Sequence, residues 1–124
     1  MTLLPARDDV RFTADARDDI GRLEGSIRNR LRKVLEKKLA AAPAQYAEPL
    51  VGVLTGYWSH HFAAHRIIYR VYDDLQLVLV CAVGTRRAGH QSDIYHHFEA
   101  LVRAGRTAEQ IFNALRGQPP KKSG

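Results

Sequence analysis

Three runs rich in β-branched and aromatic residues stand close together in the middle of this 124-residue chain, at 57–62, 66–72 and 75–85. The shortness of the links between them limits the fold more than any other feature. Residues 63–65 make the first link and Asp73 with Asp74 the second, and links this short favour an antiparallel meander. Alternation along the first run sends Tyr57, Ser59 and His61 to one face and Trp58, His60 and Phe62 to the other. The face with Trp58 and Phe62 is the expected core face, and the face with His61 is expected to stay open. Arg66 alternates with Ile67, Tyr69 and Val71, so it points away from the core if those three face into it.

Ahead of the meander, Val10 to Phe12 reads as a short strand, and Thr13 suits the N-cap of a first helix. From Ser26 onward, Ile27, Leu31, Val34, Leu35 and Leu39 recur every three or four residues and mark one buried stripe on a second helix. The two helices form a hairpin over 14–39, broken near Gly25. Arg28, Arg30, Arg32, Lys33, Lys37 and Lys38 spread over the rest of that helix and are read mainly as a solvated face. Residues 40–52 carry two prolines and no sustained period, which predicts a connecting loop. After Gly84 a polar loop leads to a third helix with Ile94, Phe98, Leu101 and Val102 on its apolar side and Asp93 near its cap. Thr107 and Gln110 resemble a capping box for a last helix, with Ile111, Phe112 and Leu115 apolar. The expected class is α+β: an N-terminal helical hairpin packed on one face of a small antiparallel sheet, with additional C-terminal helices. One core suffices for this length, so residues 1–118 are read as a single domain and 119–124 as a mobile tail.

A net charge of +6 and a pI near 9.8 draw in polyanions or an acidic protein without saying which. The single cysteine, Cys81, lies inside an apolar run and offers neither a disulfide framework nor a CxxC spacing. With no leader-like start and no apolar window near the ~20 residues of a membrane span, the expectation is a cytoplasmic protein without a membrane partner. Among the six histidines, His60 and His61 point to opposite strand faces, and His90, His96 and His97 lack a matched Cys or carboxylate cluster. No metal or other cofactor is expected. Ser59 has no nucleophile elbow of the GxSxG kind to support a hydrolase triad.

The stretch EPLVGVLTGYWSHHFAAHRIIYRVYDD is more specific than any of these features. Its Glu48, Pro49, Leu50, Leu54, Gly56, Tyr57, Trp58, Ser59, His65, Arg66 and Tyr69 resemble the central motif of the RelE/ParE superfamily, the YoeB branch most of all. VRFTADARDDI resembles that family's opening strand and first helix. The resemblance covers roughly residues 10–86 and implies the toxin of a type II toxin-antitoxin system. RelE and YoeB types cut mRNA in the ribosomal A site, while ParE types poison DNA gyrase; the GYWS and His-Arg elements favour the nuclease branch.

Metal-free cleavage of RNA needs a base for the 2′-hydroxyl, an acid for the leaving oxygen and a cation for the charge that develops on phosphorus. The resemblance places Glu48 at the base-type carboxylate and Arg66 at the phosphate-stabilising arginine, whose planar donors can grip two phosphate oxygens. His61 is either a general acid, since a histidine has both proton states within reach near its unperturbed pKa of roughly 6.5, or a surface histidine without such a role. Arg86 matches the arginine that other RelE-like members carry after the last strand; Tyr95 is the candidate for the tyrosine that follows it, or else packs on the third helix. The chain departs from the YoeB pattern at Val51, where a lysine is usual, at His60 and His61, often two arginines, and in its longer C-terminal part. The implied partners are an acidic antitoxin segment that folds over the open face around His61 and Arg66, and the ribosome with its mRNA. The alternatives are a ParE-like inhibitor of DNA gyrase and an inactive antitoxin-binding protein.

Overall fold

The computed structural model describes residues 9–43 and 47–116, so the tail expected at 119–124 lies outside the described residues. Strand β1 (Asp9–Phe12) runs into Thr13, whose hydroxyl accepts from the Ala16 amide and donates to the Cys81 carbonyl, both at 3.2 Å. That one side chain caps α1 (Ala14–Gly21) and pins it to the sheet. A short break separates α1 from α2 (Gly25–Val34), which passes into a π-type turn, Leu35–Leu39. The stripe is as expected: Leu31, Leu35 and Leu39 are buried and Ile27 and Val34 partly so, all against the sheet. Arg28, Arg30, Arg32, Lys33, Lys37 and Lys38 are exposed.

The meander forms as β3 (Trp58–Phe62), β4 (His65–Tyr72) and β5 (Leu77–Thr85), paired antiparallel in sequence. The predicted loop at 40–52 also contains a two-residue strand, β2 (Glu48–Pro49), antiparallel to β3. The sheet order is β1-β5-β4-β3-β2. It is a mixed sheet rather than a purely antiparallel one, because β1 lies parallel to β5, Asp9 opposite Leu77 and Phe12 opposite Val80. The physical reason is the otherwise unpaired edge of β5: β1 covers it, and the helical hairpin carries the chain back over the sheet.

The larger correction concerns the face expected to stay open. Helices α3 (Ile94–Arg103) and α4 (Arg106–Leu115) pack over much of it. Ile94 and Phe98 join Leu54, Tyr57, Ile68, Leu79, Cys81 and Ala82 in a second buried cluster, with Leu101, Val102, Ile111 and Ala114 at its margin. The first cluster lies beneath the hairpin and includes Phe62, Ile67, Tyr69, Val78, Val80 and Val83. Burial on both faces explains why β5 reads as a continuous apolar run instead of an alternation. Phe112, placed on the apolar side of the last helix by its spacing, is 64% exposed. The capping box also does not form. Gly105 takes the N-cap position of α4 with φ 76° and no side-chain bond, and Thr107 is buried inside the first turn. Gln110 instead accepts from the Asp15 amide at the start of α1, while Arg106 grips the Asp15 carboxylate with two bonds of 2.8 Å.

One irregularity decides which way the end of β5 faces. Ile68 pairs with Ala82 and Tyr69 with Val80, so the register slips by one residue at Cys81. Cys81 and Ala82 both belong to the α3 cluster, and Val83 returns to the hairpin side. A bulge of this kind reverses the phase of every residue beyond it, which brings Gly84 and, after the strand, Arg86 to the side of α3.

Candidate functional site

Directly opposed residues of an antiparallel pair share a face, and the register therefore collects the candidate residues. Glu48 lies opposite Ser59, Ser59 opposite Ile68, and His61 opposite Arg66, which in turn faces Gly84. Ile68 belongs to the α3 cluster, so Glu48, Ser59, His61 and Arg66 all lie on that face. Arg66 points away from Ile67, Tyr69 and Val71, which pack beneath the hairpin as its alternation required.

Helix α3 supplies the rest. Asp93 is its N-cap, accepting from the amides of Tyr95 at 3.1 Å and His96 at 3.4 Å. The same carboxylate accepts from the Arg87 amide and pairs with Arg86 Nη1 at 2.7 Å. The Arg86 guanidinium lies over the Tyr95 ring, 4.9 Å from its centre, and the Tyr95 hydroxyl shares a 2.6 Å hydrogen bond with Ser59 Oγ. Tyr95 thus rides on α3, as the packing alternative had it, and its ring also stands beside Arg86. Close docking is possible because residue 84 is glycine: a Cβ there would meet Ile94 Cδ1 at 2.7 Å. The Arg86 amide donates to Ala64 in the β3–β4 turn at 3.0 Å, so the base of Arg86 is tied to the loop beyond His61.

Two of the five candidate residues are therefore in contact, Arg86 with Tyr95, and His61 and Arg66 are cross-strand neighbours. His61 is exposed and donates from Nε2 to the Ala63 carbonyl at 2.8 Å, folded back on its own turn. Arg66 is half-buried and donates to the adjacent His65 carbonyl at 3.1 Å. Glu48 stands exposed on the edge strand. The His60 side of β3 is separate: His60 is buried on the hairpin side of the strand and plays no part in this face.

Burial and hydrogen bonding shift three nearby groups. Burial works to raise the Asp93 pKa, but the hydrogen bonds from Arg86 and from the Arg87 amide outweigh it and hold the carboxyl below its ordinary value. Burial pushes the Cys81 thiol up to about 12, so it is inert. Burial also lowers the pKa of His65, whose Nδ1 has no hydrogen-bond partner. Among the described residues, no three His, Cys, Asp or Glu side chains gather into a group that could hold a metal ion, and no helix is long and apolar enough to cross a membrane. A concavity of about 520 Å³ lies at the opposite edge of the sheet, lined by Asp9, Val10, Arg11, Phe12, Arg17 and Ala114; none of the five candidates borders it.

Residues 10–89 match the family of the ParE toxin of the type II toxin-antitoxin system parDE. The chain belongs to the RelE/ParE superfamily of type II toxins. It is 30% identical over 86 residues to Toxin RelG of Mycobacterium tuberculosis, covering 69% of this chain and 93% of that one. The toxin-antitoxin complex RelBE2 of the same organism contains a chain 28% identical, with a TM-score of 0.63 over 65% of this chain and 93% of that one. The isolated RelE toxin of E. coli shares the fold, at 21% identity and a TM-score of 0.56, over 78% and 98% of the two chains. Within this toxin the family match ends at residue 89. Arg86 is inside it, whereas its two neighbours in space, Asp93 and Tyr95, lie beyond.

Sequence reasoning did not foresee the contacts of three residues on this face. Ser59 was read as a motif position and weighed as a triad nucleophile, and Asp93 only as a cap, because their partners Tyr95 and Arg86 are set by the docking of α3. Arg70 was not singled out. Its guanidinium lies 5.0 Å from the centre of the Tyr57 ring and 5.7 Å from that of Tyr72, packed over Gly56. Three aromatic-adjacent positions on one face, 57, 70 and 72, were the available signal.

Proposed function

We propose that this toxin is a ribosome-dependent mRNA endoribonuclease whose working surface is the sheet face bearing Glu48, His61, Arg66, Arg86 and Tyr95. The observation that carries this reading is the gathering of a carboxylate, an imidazole, two arginines and a phenol onto one face. In the proposed reaction Glu48 removes the proton of a 2′-hydroxyl, and that oxygen bonds to the adjacent phosphorus. The bond from phosphorus to the 5′-oxygen breaks, and His61 or Tyr95 returns a proton to the leaving oxygen. The products are a 2′,3′-cyclic phosphate and a free 5′-hydroxyl. Arg66 stabilises the charge on the phosphoryl oxygens, and the ribosome supplies the mRNA already oriented.

The structure of the RelBE2 complex from M. tuberculosis, a toxin with its antitoxin, supports an antitoxin partner here. We take that partner to present an acidic segment to the basic surface around His61 and Arg66, and residues 1–118 to act as one domain in the cytoplasm. The match to the ParE family model favours a second reading, a non-catalytic inhibitor of DNA gyrase. Inducing the toxin, mapping mRNA 5′ ends against codon positions and assaying DNA supercoiling in parallel separates the two. Codon-phased 5′ ends with unchanged supercoiling are expected; relaxed DNA with intact mRNA overturns the nuclease reading.

A further inference from the structure

Asp93 makes a set of bonds that exceeds what a helix cap requires. It is 3% exposed, caps α3 through two amides, accepts from a third in the preceding loop and pairs with Arg86 at 2.7 Å. Arg86 covers the Tyr95 ring, and Tyr95 closes on Ser59. These contacts form one chain, from the cap of α3 through Arg86 and Tyr95 to Ser59 of β3. Asp93 pairs with Nη1 of Arg86, whose side chain is 37% exposed; a guanidinium has five donors, more than one carboxylate takes up, so donors remain for a ligand anion.

We propose that Asp93 is a positioning residue: it fixes Arg86 over Tyr95 while capping α3, so that the docking of α3 assembles this part of the site. The inference rests on the reading that this sheet face is the working surface, and it assigns a task to the segment beyond the family match. An arginine left unpaired here would swing on a long flexible stem, and the Tyr95 ring would lose its cover. Misplacing a charge by about 1 Å costs on the order of a hundredfold in rate. Ser59 acts as the second anchor, holding the Tyr95 hydroxyl from below.

The discriminating variant is Asp93→Ser. Serine caps a helix about as well as aspartate but is too short and uncharged to hold Arg86. Asp93→Ser, Arg86→Ala and the double variant are compared for melting temperature, growth arrest on induction, and kcat and KM on ribosome-bound mRNA. The expected result for Asp93→Ser is a melting temperature modestly below that of the parent, since the pair with Arg86 is lost while the cap is kept, with kcat lowered about tenfold to a hundredfold and KM little changed. The double variant should be no worse than Arg86→Ala alone, since both remove the same positioned group. Activity of a folded Asp93→Ser within threefold of the parent, or losses that multiply in the double variant, overturns the proposal. Should Asp93→Ser melt early, nitrogen-15 NMR of the unaltered protein decides: a held Arg86 shows separate, slowly exchanging Nη signals, and a single averaged signal overturns it. If the parent arrests growth but leaves mRNA intact, the nuclease reading falls, and the same variants are scored on growth arrest for the positioning of Arg86.

Discussion

The two faces of the sheet are built differently. Beneath the hairpin, Leu31, Leu39, Ile67, Tyr69, Val78 and Val80 form a dry layer in which each is at most 1% exposed, and the Tyr69 hydroxyl donates to the Pro43 carbonyl. On the other face, Phe98 and Leu79 are just as buried, but the layer stops partway across and gives over to Ser59, Tyr95, Arg66 and His61. One face is closed by a buried apolar layer, whereas the other joins a core to a polar surface beside the first turn of α3. Polar groups next to a packed layer have few ways to move, and that is the condition a preorganised site needs.

The contrast can be broken at its largest element. Phe98 is fully buried, with its ring edge-to-face on Tyr57 at 5.0 Å. Phe98→Ala should lower stability by about 3 to 5 kcal/mol, whereas Phe112→Ala on the neighbouring helix should stay within about 0.5 kcal/mol. Urea denaturation of both variants checks this; a loss below about 1 kcal/mol for Phe98→Ala would show that the α3 face is not a core at all.

Arg66→Ala sharpens the contrast from the other side, by separating activity from fold. Its chain lies outside both buried clusters, so melting should move little. Loss of a cation facing developing phosphate charge is worth on the order of 3 to 4 kcal/mol, several hundredfold in rate. Full cleavage of ribosome-bound mRNA by the folded variant would sink the nuclease site.

Gly84→Ala tests the seam between the two regions. The added Cβ meets Ile94 at 2.7 Å, though at the mobile end of that side chain, and its β-carbon at 3.3 Å. Overpacking of this degree costs about 1 to 3 kcal/mol and lifts the first turn of α3, which carries Tyr95. Stability and cleavage should fall together here, unlike in Arg66→Ala, and hydrogen exchange should quicken in α3 and not in α2.

What could be read from the sequence was local. Thr13 and Asp93 were recognisable as caps, because the cap and the amides it accepts from lie within three residues. The Leu31, Leu35, Leu39 stripe and the outward aim of Arg66 follow from period alone. The parallel pairing of β1, the covering of the His61 face and the bulge at Cys81 were not legible, since each depends on a partner far along the chain. Gln110 makes the point in one residue: its spacing from Thr107 suggested a bond within α4, and it bonds to Asp15 of α1 instead. For the site, the face shared by Glu48, His61 and Arg66 needed only strand register, while the contact of Arg86 with Tyr95 needed the bulge to turn Arg86 toward α3 and the polar loop to return Tyr95 to it.

The smallest expected effect lies in acid, where an aspartate on each side of the seam titrates in the opposite direction. Asp93 is held below its ordinary pKa, despite the burial that opposes this, by Arg86 and backbone amides. Asp19 is pushed above it by burial, which outweighs the bond it accepts from the Val83 amide and the pull of Arg22. A carboxyl with a depressed folded pKa contributes stability that is complete above the unfolded value, about 3.9, and is lost as the pH falls through the folded value. A carboxyl with a raised folded pKa does the reverse: its cost is complete above the folded value and relieved as it takes up a proton on the way down to the unfolded one. Asp93→Asn keeps a capping oxygen and removes the titration, so its stability should fall below that of the parent at neutral pH and converge with it in acid. Asp19→Asn keeps an acceptor for Val83 and should converge with the parent from the opposite direction, with its relative advantage at neutral pH shrinking as acid is added. Urea denaturation at a series of pH values between neutrality and the acid transition measures both differences, and two curves that bend the same way would mean that the two carboxyls do not sit in the contrasting settings described for them.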